Sequence, residues 1–289
     1  MLKYIQKIRA VFPKSFFPRT LFSWSKRELD EAQKQKYKEY AFRAVVAAMM
    51  LVALGSSYTA VTGRSITVSN NSSGRDLPIY CVQTDKNQIA LSFDAAWGNE
   101  DTQDILDILN NHDIRVTFFM TGGWVEEYPD DVKAILAAGH DLANHGENHK
   151  HMSRLSNDQI KDEIMKVHER VKELTGYEMD LFRPPYGDYD NDVIKTARKI
   201  GYYTVQWDVD SLDWKDYGVD SIIKTVCEHK NLGNGSIILM HNGAKHTHKA
   251  LDAMITRLKE AGYEFVPISE LIYRDKYSMN HEGRQIPKS

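Results

Sequence analysis

The stretch Asn144-His145-Gly146-Glu147-Asn148-His149-Lys150-His151 places three histidines within seven residues, and two of them, His145 and His149, are four apart. Neutral imidazole is the commonest protein ligand for zinc and related cations. The spacing brings two ring nitrogens to one ion with little loop to order. A His-rich surface loop would read the same way, so the stretch gains weight only from its company. That company is Asp94 in Ser92-Phe93-Asp94-Ala95-Ala96-Trp97-Gly98, Arg183 in Arg183-Pro184-Pro185-Tyr186-Gly187, Asp208, Asp210, Asp213 and Trp214 in the next polar run, and His241 in Leu239-Met240-His241-Asn242-Gly243. Together they offer a carboxylate base, a guanidinium, a carboxylate–imidazole pair and two imidazole ligands, a set suited to hydrolysis assisted by a metal ion.

These residues need elements that bring them to one place. The sequence between about 83 and 273 alternates short apolar runs with helical patterns. Strands are expected at 89–93, 116–120, 141–143, 181–183, 203–207, 237–240 and 264–267, with helices at 102–111, 130–138, 157–174, 192–199, 219–229 and 248–261. In the helix from Asn157 the apolar residues Ile160, Ile164, Val167, Val171 and Leu174 recur at intervals of three and four, so one face is buried. Gly139, Gly176, Gly201 and Gly262 each follow a helix, where a left-handed cap is wanted. Strand followed by helix, repeated about seven times, predicts an α/β fold with a parallel sheet, most simply a (β/α) barrel. In such barrels chemistry sits at the C-terminal ends of the strands. Asp94, His145 and His149, Arg183, the Asp208–Trp214 run and His241 each follow a different expected strand. Singly, Asp94 reads as a helix cap, Arg183 as an ion-pair partner and His241 as a core histidine. Their joint placement favours a site.

The chain is similar in pattern to the polysaccharide deacetylase family, the carbohydrate esterases with a NodB-type domain, over roughly residues 85–272. Ser92-Phe93-Asp94-Ala95-Ala96 stands where the family has T-F-D-D-G. His145 to His149 matches H-(S/T)-x-x-H at both histidines, Arg183 to Tyr186 matches R-x-P-Y, Asp210 to Trp214 matches D-S-x-D-W, and Leu239 to His241 matches L-x-H. Within the family it most resembles clostridial and bacillar peptidoglycan deacetylases and sporulation-linked members. The resemblance implies a (β/α) barrel, often distorted, and metal-dependent removal of N-acetyl groups from sugar polymers. It implies His145 and His149 as ligands of a divalent metal, zinc first and cobalt as a related choice. Asp94 would be the general base, oriented and kept ionised by Arg183, and His241 the general acid, kept protonated by Asp213. The Tyr186 backbone N–H would face the oxyanion. Trp97, Trp124 and Trp214 are candidates for stacking on sugar.

One departure matters. The second Asp of the family's first motif is its third protein ligand for the metal, and here that position is Ala95. Water could replace it. Glu100, Asp101 or Glu147 could reach the ion. Or the domain binds glycan without turning it over. The retained histidines, Arg183, Asp213 and His241 place catalysis first. The expected substrate is acetylated cell-wall polysaccharide, with a chitin-like chain or O-acetylated xylan as the runner-up.

Charge and hydropathy organise the remainder. Residues 1–43 carry eleven Lys/Arg against four Asp/Glu, so the net charge of −3 divides into +7 there and −10 over the other residues. An acidic main body argues against nucleic acid as a partner. No charge falls between Arg43 and Arg64, and twenty residues at helical rise span roughly 30 Å, the thickness of a bilayer core. Residues 44–63 are therefore expected to form a single transmembrane helix. Its basic flank keeps a cytoplasmic tail, 1–43, inside and places the remainder outside the cell membrane. Residues 64–82 read as a stalk and 274–289 as a loose polar tail. Cys81 and Cys227, alone and far apart, read as buried small side chains rather than a disulfide framework.

Overall fold

The computed structural model describes residues 74–288. The basic tail 1–43, the expected membrane span 44–63 and the first part of the stalk lie outside the described residues. Among the described residues no helix is long and apolar enough to cross a membrane.

The seven expected strands are present, joined by a two-residue strand at Val209–Asp210 that was not expected. β2 (Gln88–Ala95), β3 (Thr117–Met120), β4 (Asp141–Asn144), β5 (Leu181–Phe182), β6 (Tyr203–Thr204), β7 (Val209–Asp210), β8 (Ile237–His241) and β9 (Glu264–Phe265) form one parallel sheet. Its order is β6-β5-β4-β3-β2-β8-β7, with β9 pairing the start of β2. The helices between them are α1 (Thr102–Asn111), α2 (Gly122–Glu127), α3 (Pro129–Ala137), α4 (Asn157–Thr175), α5 (Asn191–Lys199), α6 (Val219–Cys227), α7 (Thr247–Glu260) and α8 (Ile268–Leu271). The four glycines expected as caps all have positive φ. Ser156 and Gln159 close a reciprocal capping box at the start of α4.

Strand alternation divides the core in two. Ile89, Leu91, Phe93, Phe118, Met120, Leu142, Phe182, Ile238 and Met240 pack outward with helix residues such as Ile105, Ile160, Ile164 and Leu251. Residues of the other parity, Ala90, Phe119, Ala143, Leu181, Tyr203 and Ile237, form an inner cluster with Ile79, Val82 and Val205. Because side chains two apart share a face, the inner parity runs on from Ala90 to Asp94, from Ala143 to His145, from Leu181 to Arg183 and from Ile237 to His241.

The sheet curls into a half-barrel rather than closing strand to strand, because β6 and β7 do not pair. Ile79 bridges to Val205 just beyond β6, and Cys81 bridges to Ser236 just before β8. The chain entering the domain thus touches the sheet on both sides of the gap. This corrects the stalk boundary. Asp76, Ile79, Cys81 and Val82 are buried, so this part of the expected stalk belongs to the folded domain. It also shortens the expected strand 203–207, since the Gln206 N–H donates to the carbonyl of Ile79 at 2.7 Å instead of to a sheet neighbour.

The expected loose tail 274–289 is corrected as well. β10 (Tyr277–Met279) and β11 (Arg284–Pro287) form an antiparallel pair, and β11 runs parallel to β1 (Cys81–Val82). These strands are too short and polar to show a period-two pattern. What holds them is Gln285, fully buried, whose side chain accepts from the Tyr273 N–H and donates to the Tyr273 carbonyl, each at 2.9 Å. Cys81 and Cys227 are free thiols, the first buried and the second half-buried.

Gln285→Ala removes the partner of both backbone groups of half-buried Tyr273. It should lower unfolding free energy by about 2 kcal/mol, read as a reduced urea midpoint. An unchanged midpoint would show that the C-terminal strands are not part of the cooperative unit.

Candidate active site

The residues that the sequence set apart converge on the C-terminal edge of the inner face. Arg183 lies at the centre and is fully buried. Its Nη1 donates to Asp94 Oδ1 at 2.7 Å, and its Nη2 to Ser92 Oγ at 2.9 Å and the Gln206 carbonyl at 3.3 Å. The guanidinium also lies 4.0 Å above the Phe119 ring, a stacked, pre-organised arrangement that lysine could not supply. Register places Asp94 beside both Phe119 and His241. Burial alone would raise the Asp94 pKa, but the charge of Arg183 and its hydrogen bond, with the more distant charge of His241, outweigh it and hold the carboxyl below its ordinary range. Asp94 is therefore ionised at neutral pH.

His145 sits with its Nε2 3.5 Å from Asp94 Oδ2. Its Nδ1 lies 2.8 Å from the Arg183 carbonyl, which can only accept, so Nδ1 carries the proton and Nε2 presents a lone pair. Burial keeps this ring neutral. His149 is 5.0 Å from it, centroid to centroid, and burial followed by the neighbouring His145 pushes its pKa down to about 4. Both rings are thus in the protonation state that a metal requires.

The loop carrying them is held from α4. Glu163 accepts from the Asn148 N–H and side-chain amide and from Lys150 Nζ, each at 2.8 Å. Glu147 forms a two-pronged pair with Arg170, at 2.7 and 2.8 Å. The clamp holds His149 in a left-handed backbone, φ 49°, of the kind that persists only where the surroundings over-determine it. Sequence reading missed Glu163 and Arg170. The signal was present: Glu163 interrupts the apolar stripe of α4 as a buried charge, and Arg170 lies seven residues on along the same face.

His241 is the second pole. Its Nδ1 is 2.7 Å from Asp213 Oδ1, and its backbone N–H donates to Asp213 Oδ2 at 2.7 Å. Thr247 Oγ1 donates to the same oxygen. Burial would lower the His241 pKa, but the hydrogen bond and charge of Asp213 more than offset it, and the net shift is upward. Thr247 was not singled out in the sequence, because a helix-start threonine usually caps its own helix.

Tyr186, in a left-handed conformation at φ 61°, stands between His149 and His151, at ring distances of 4.5 and 4.3 Å. Trp97 is stacked on His241 at 6.3 Å and meets the edge of His149 at 5.7 Å. Trp214 follows Asp213 and is exposed. Trp124 is corrected as a sugar-stacking candidate. It is buried, and its indole N–H donates to the Gly98 carbonyl at 2.7 Å, fixing the loop beneath Trp97.

The substitutes considered for a third metal ligand are engaged elsewhere. Glu147 pairs with Arg170, Asp101 accepts from the Gly243 N–H at 2.8 Å, and Glu100 accepts from the Asn99 N–H at 3.1 Å. Ala95 has the outward parity and is fully buried in the helix-facing core. Among the described residues no three His, Cys, Asp or Glu side chains are grouped to hold a metal ion. The site therefore fits a cation through two imidazoles, His145 and His149, and lacks the third protein ligand typical of an open catalytic centre.

Comparison with known proteins agrees with this geometry. Residues 82–205 match the polysaccharide deacetylase family model. The peptidoglycan-N-acetylmuramic acid deacetylase PdaA of Bacillus subtilis is 36% identical over 202 residues, 67% of this chain and 74% of that protein. A peptidoglycan-N-acetylglucosamine deacetylase of Bacillus cereus is 35% identical over 198 residues, 66% of this chain and 70% of that one. The crystal structure of a carbohydrate esterase family 4 pseudoenzyme from Bacillus anthracis superposes with a TM-score of 0.65 at 34% identity, covering 75% of this chain and 74% of the other. The chain belongs to the polysaccharide deacetylase family, hydrolases that act on amide bonds of cell-wall polysaccharide. Members of this family are generally metal-dependent.

Removing the charge of Asp213 takes away the strongest influence holding the His241 pKa up and leaves the weaker pull of Asp94 and Asp210 against burial. In Asp213→Asn the His241 pKa should fall from above its ordinary 6.5 to below it, so its proton is released at lower pH. Histidine-ring NMR titration reads this. A pKa that stays raised would place its cause outside the pair.

Proposed function

We propose that this chain removes N-acetyl groups from the glycan of peptidoglycan. The observation that carries the reading is the pair of buried couples, Asp94–Arg183 and His241–Asp213, each closed at 2.7 Å. They push two titrations apart, one carboxyl down and one imidazole up, which is how an acid and a base are assigned within one site. Asp94 takes a proton from the attacking water as its oxygen bonds to the acetyl carbon. Arg183 keeps Asp94 ionised and aims it. The oxyanion that develops faces the Tyr186 backbone N–H. His241 donates its Nε2 proton to the sugar nitrogen as the carbon–nitrogen bond breaks, leaving acetate and a free amine. A divalent cation, zinc by its affinity for imidazole or cobalt in its place, would be held by His145 and His149 and would polarise the acetyl carbonyl. The likeness to the two Bacillus peptidoglycan deacetylases supports peptidoglycan as the substrate.

A second reading is a glycan-binding domain without turnover. Ala95 favours it, as does the likeness to a structure described as a pseudoenzyme.

Acetate release from N-acetylated peptidoglycan strands by the full-length protein, with zinc or cobalt added, separates the two. Asp94→Asn should reduce that release by about 10²–10⁴-fold, the usual cost of losing a general base. The rate should also fall at both pH extremes. Asp94 gains a proton as pH drops through its lowered pKa, and His241 loses one as pH rises through its raised pKa. Glycan binding by the wild type without acetate release would replace the first reading with the second.

The charge-free span 44–63 and the basic flank before it motivate a further part of the proposal, an N-in membrane anchor with the catalytic domain outside the cytoplasm. Protease added to intact protoplasts should digest the chain beyond residue 80. Full protection, with release from membranes by high salt, would overturn the anchor.

A further inference from the structure

Among the described residues the large apolar side chains left exposed are Trp97, Tyr186, Trp214 and Tyr217. All lie on loops that follow β2, β5 and β7, on the edge of the sheet that carries the site. Exposed apolar surface gathered in one place marks a binding surface. Two of these rings frame a cation. Lys215 Nζ stands 5.0 Å from the Trp214 ring and 5.9 Å from the Tyr217 ring.

The carboxylates around this lysine are otherwise engaged. Asp213 is buried on His241 and Thr247. Asp216 pairs with Lys245 at 3.0 Å and His246 at 2.7 Å. Lys215 itself is exposed and has no carboxylate within ion-pair distance among the described residues. The loop is also held in shape. Leu212 and Asp216 take left-handed backbones at φ 55° and 56°, and the ties from Asp216 to the loop before α7 fasten it. A cation is thus presented to solvent between two aromatic faces, two residues along the chain from Asp213, which holds His241.

Aromatic faces stack on sugar rings, and an ammonium attracts an anion. We propose that Trp214, Lys215 and Tyr217 form a subsite for a sugar that bears a carboxylate, the lactyl ether acid of the peptidoglycan glycan, beside the acetamido group between Asp94 and His241. This rests on the deacetylase reading and sharpens it, because a polymer of N-acetylglucosamine alone has no such charge.

The test measures binding to the full-length protein by tryptophan fluorescence within seconds of mixing. The ligands are an N-acetylglucosamine tetramer, an alternating N-acetylglucosamine–N-acetylmuramic acid tetramer, and the latter with its carboxylates converted to amides. The acidic tetramer should bind about fivefold more tightly than the other two at low salt, the scale of one exposed ion pair. The ratio should shrink as salt rises. Lys215→Gln should bring it to about one while neutral binding persists, and Lys215→Arg should keep it. If the wild type binds all three alike, or Lys215→Gln leaves the ratio intact, the subsite falls and the deacetylase reading stands. If none of the three binds, the glycan reading fails and the subsite with it.

Discussion

The buried guanidinium of Arg183 is the group on which the site depends. A positive charge with no exposed surface is tolerated only when it is paired and hydrogen-bonded, and taking away one partner of such a pair costs about 3–5 kcal/mol. Asp94 and Ser92 meet that demand from β2 and the Gln206 carbonyl from the chain just beyond β6, and Phe119 covers the flat face. The same residue's carbonyl sets the tautomer of His145. One side chain and its own backbone thereby fix the Asp94 carboxylate and the His145 imidazole relative to each other.

Parallel-strand geometry makes this possible. Asp94, His145, Arg183 and His241 each continue the inner parity of a different strand, so all four point to the mouth of the half-barrel. The helices contribute positioning rather than chemistry. Glu163 and Arg170 reach from α4 to a loop whose left-handed turn at His149 would otherwise relax. Burial of Glu163 is balanced by its bonds to Lys150 and Asn148, which hold its pKa down. Second contacts of this kind decide how well an imidazole is aimed.

The parity that gathers the site also explains the altered first motif. Ala95 follows Asp94 and takes the opposite face, packed in the helix-facing core. A methyl group suits that place, whereas a carboxylate would have to leave it for the inner edge. On the proposed reading the two buried acid–base couples are intact, while only two neutral imidazoles stand where a cation would be held. Neutral donors do not offset the charge of a divalent ion, so a cation held by these two imidazoles alone would be held weakly.

The sequence by itself determined the repeated strand–helix order, the apolar face of α4, the glycine caps and the set of polar residues at the strand ends, because these follow from local periodicity and from motifs a few residues long. Asp94, Arg183, His241, Asp213, His145 and His149 were legible for that reason. Tertiary structure alone decided what depends on contacts between distant segments. The two-residue strands β1 and β7 and the polar strands β10 and β11 have no period of their own. They exist because β1 meets β11 and β7 meets β8, partners brought together from distant parts of the chain. The clamp of Glu163 and Arg170, the burial of Trp124 and the engagement of Glu147 and Asp101 away from the histidines likewise depend on which surfaces meet. A side chain's charge and size are written in the sequence. The partner that neutralises or buries it is set by the packing.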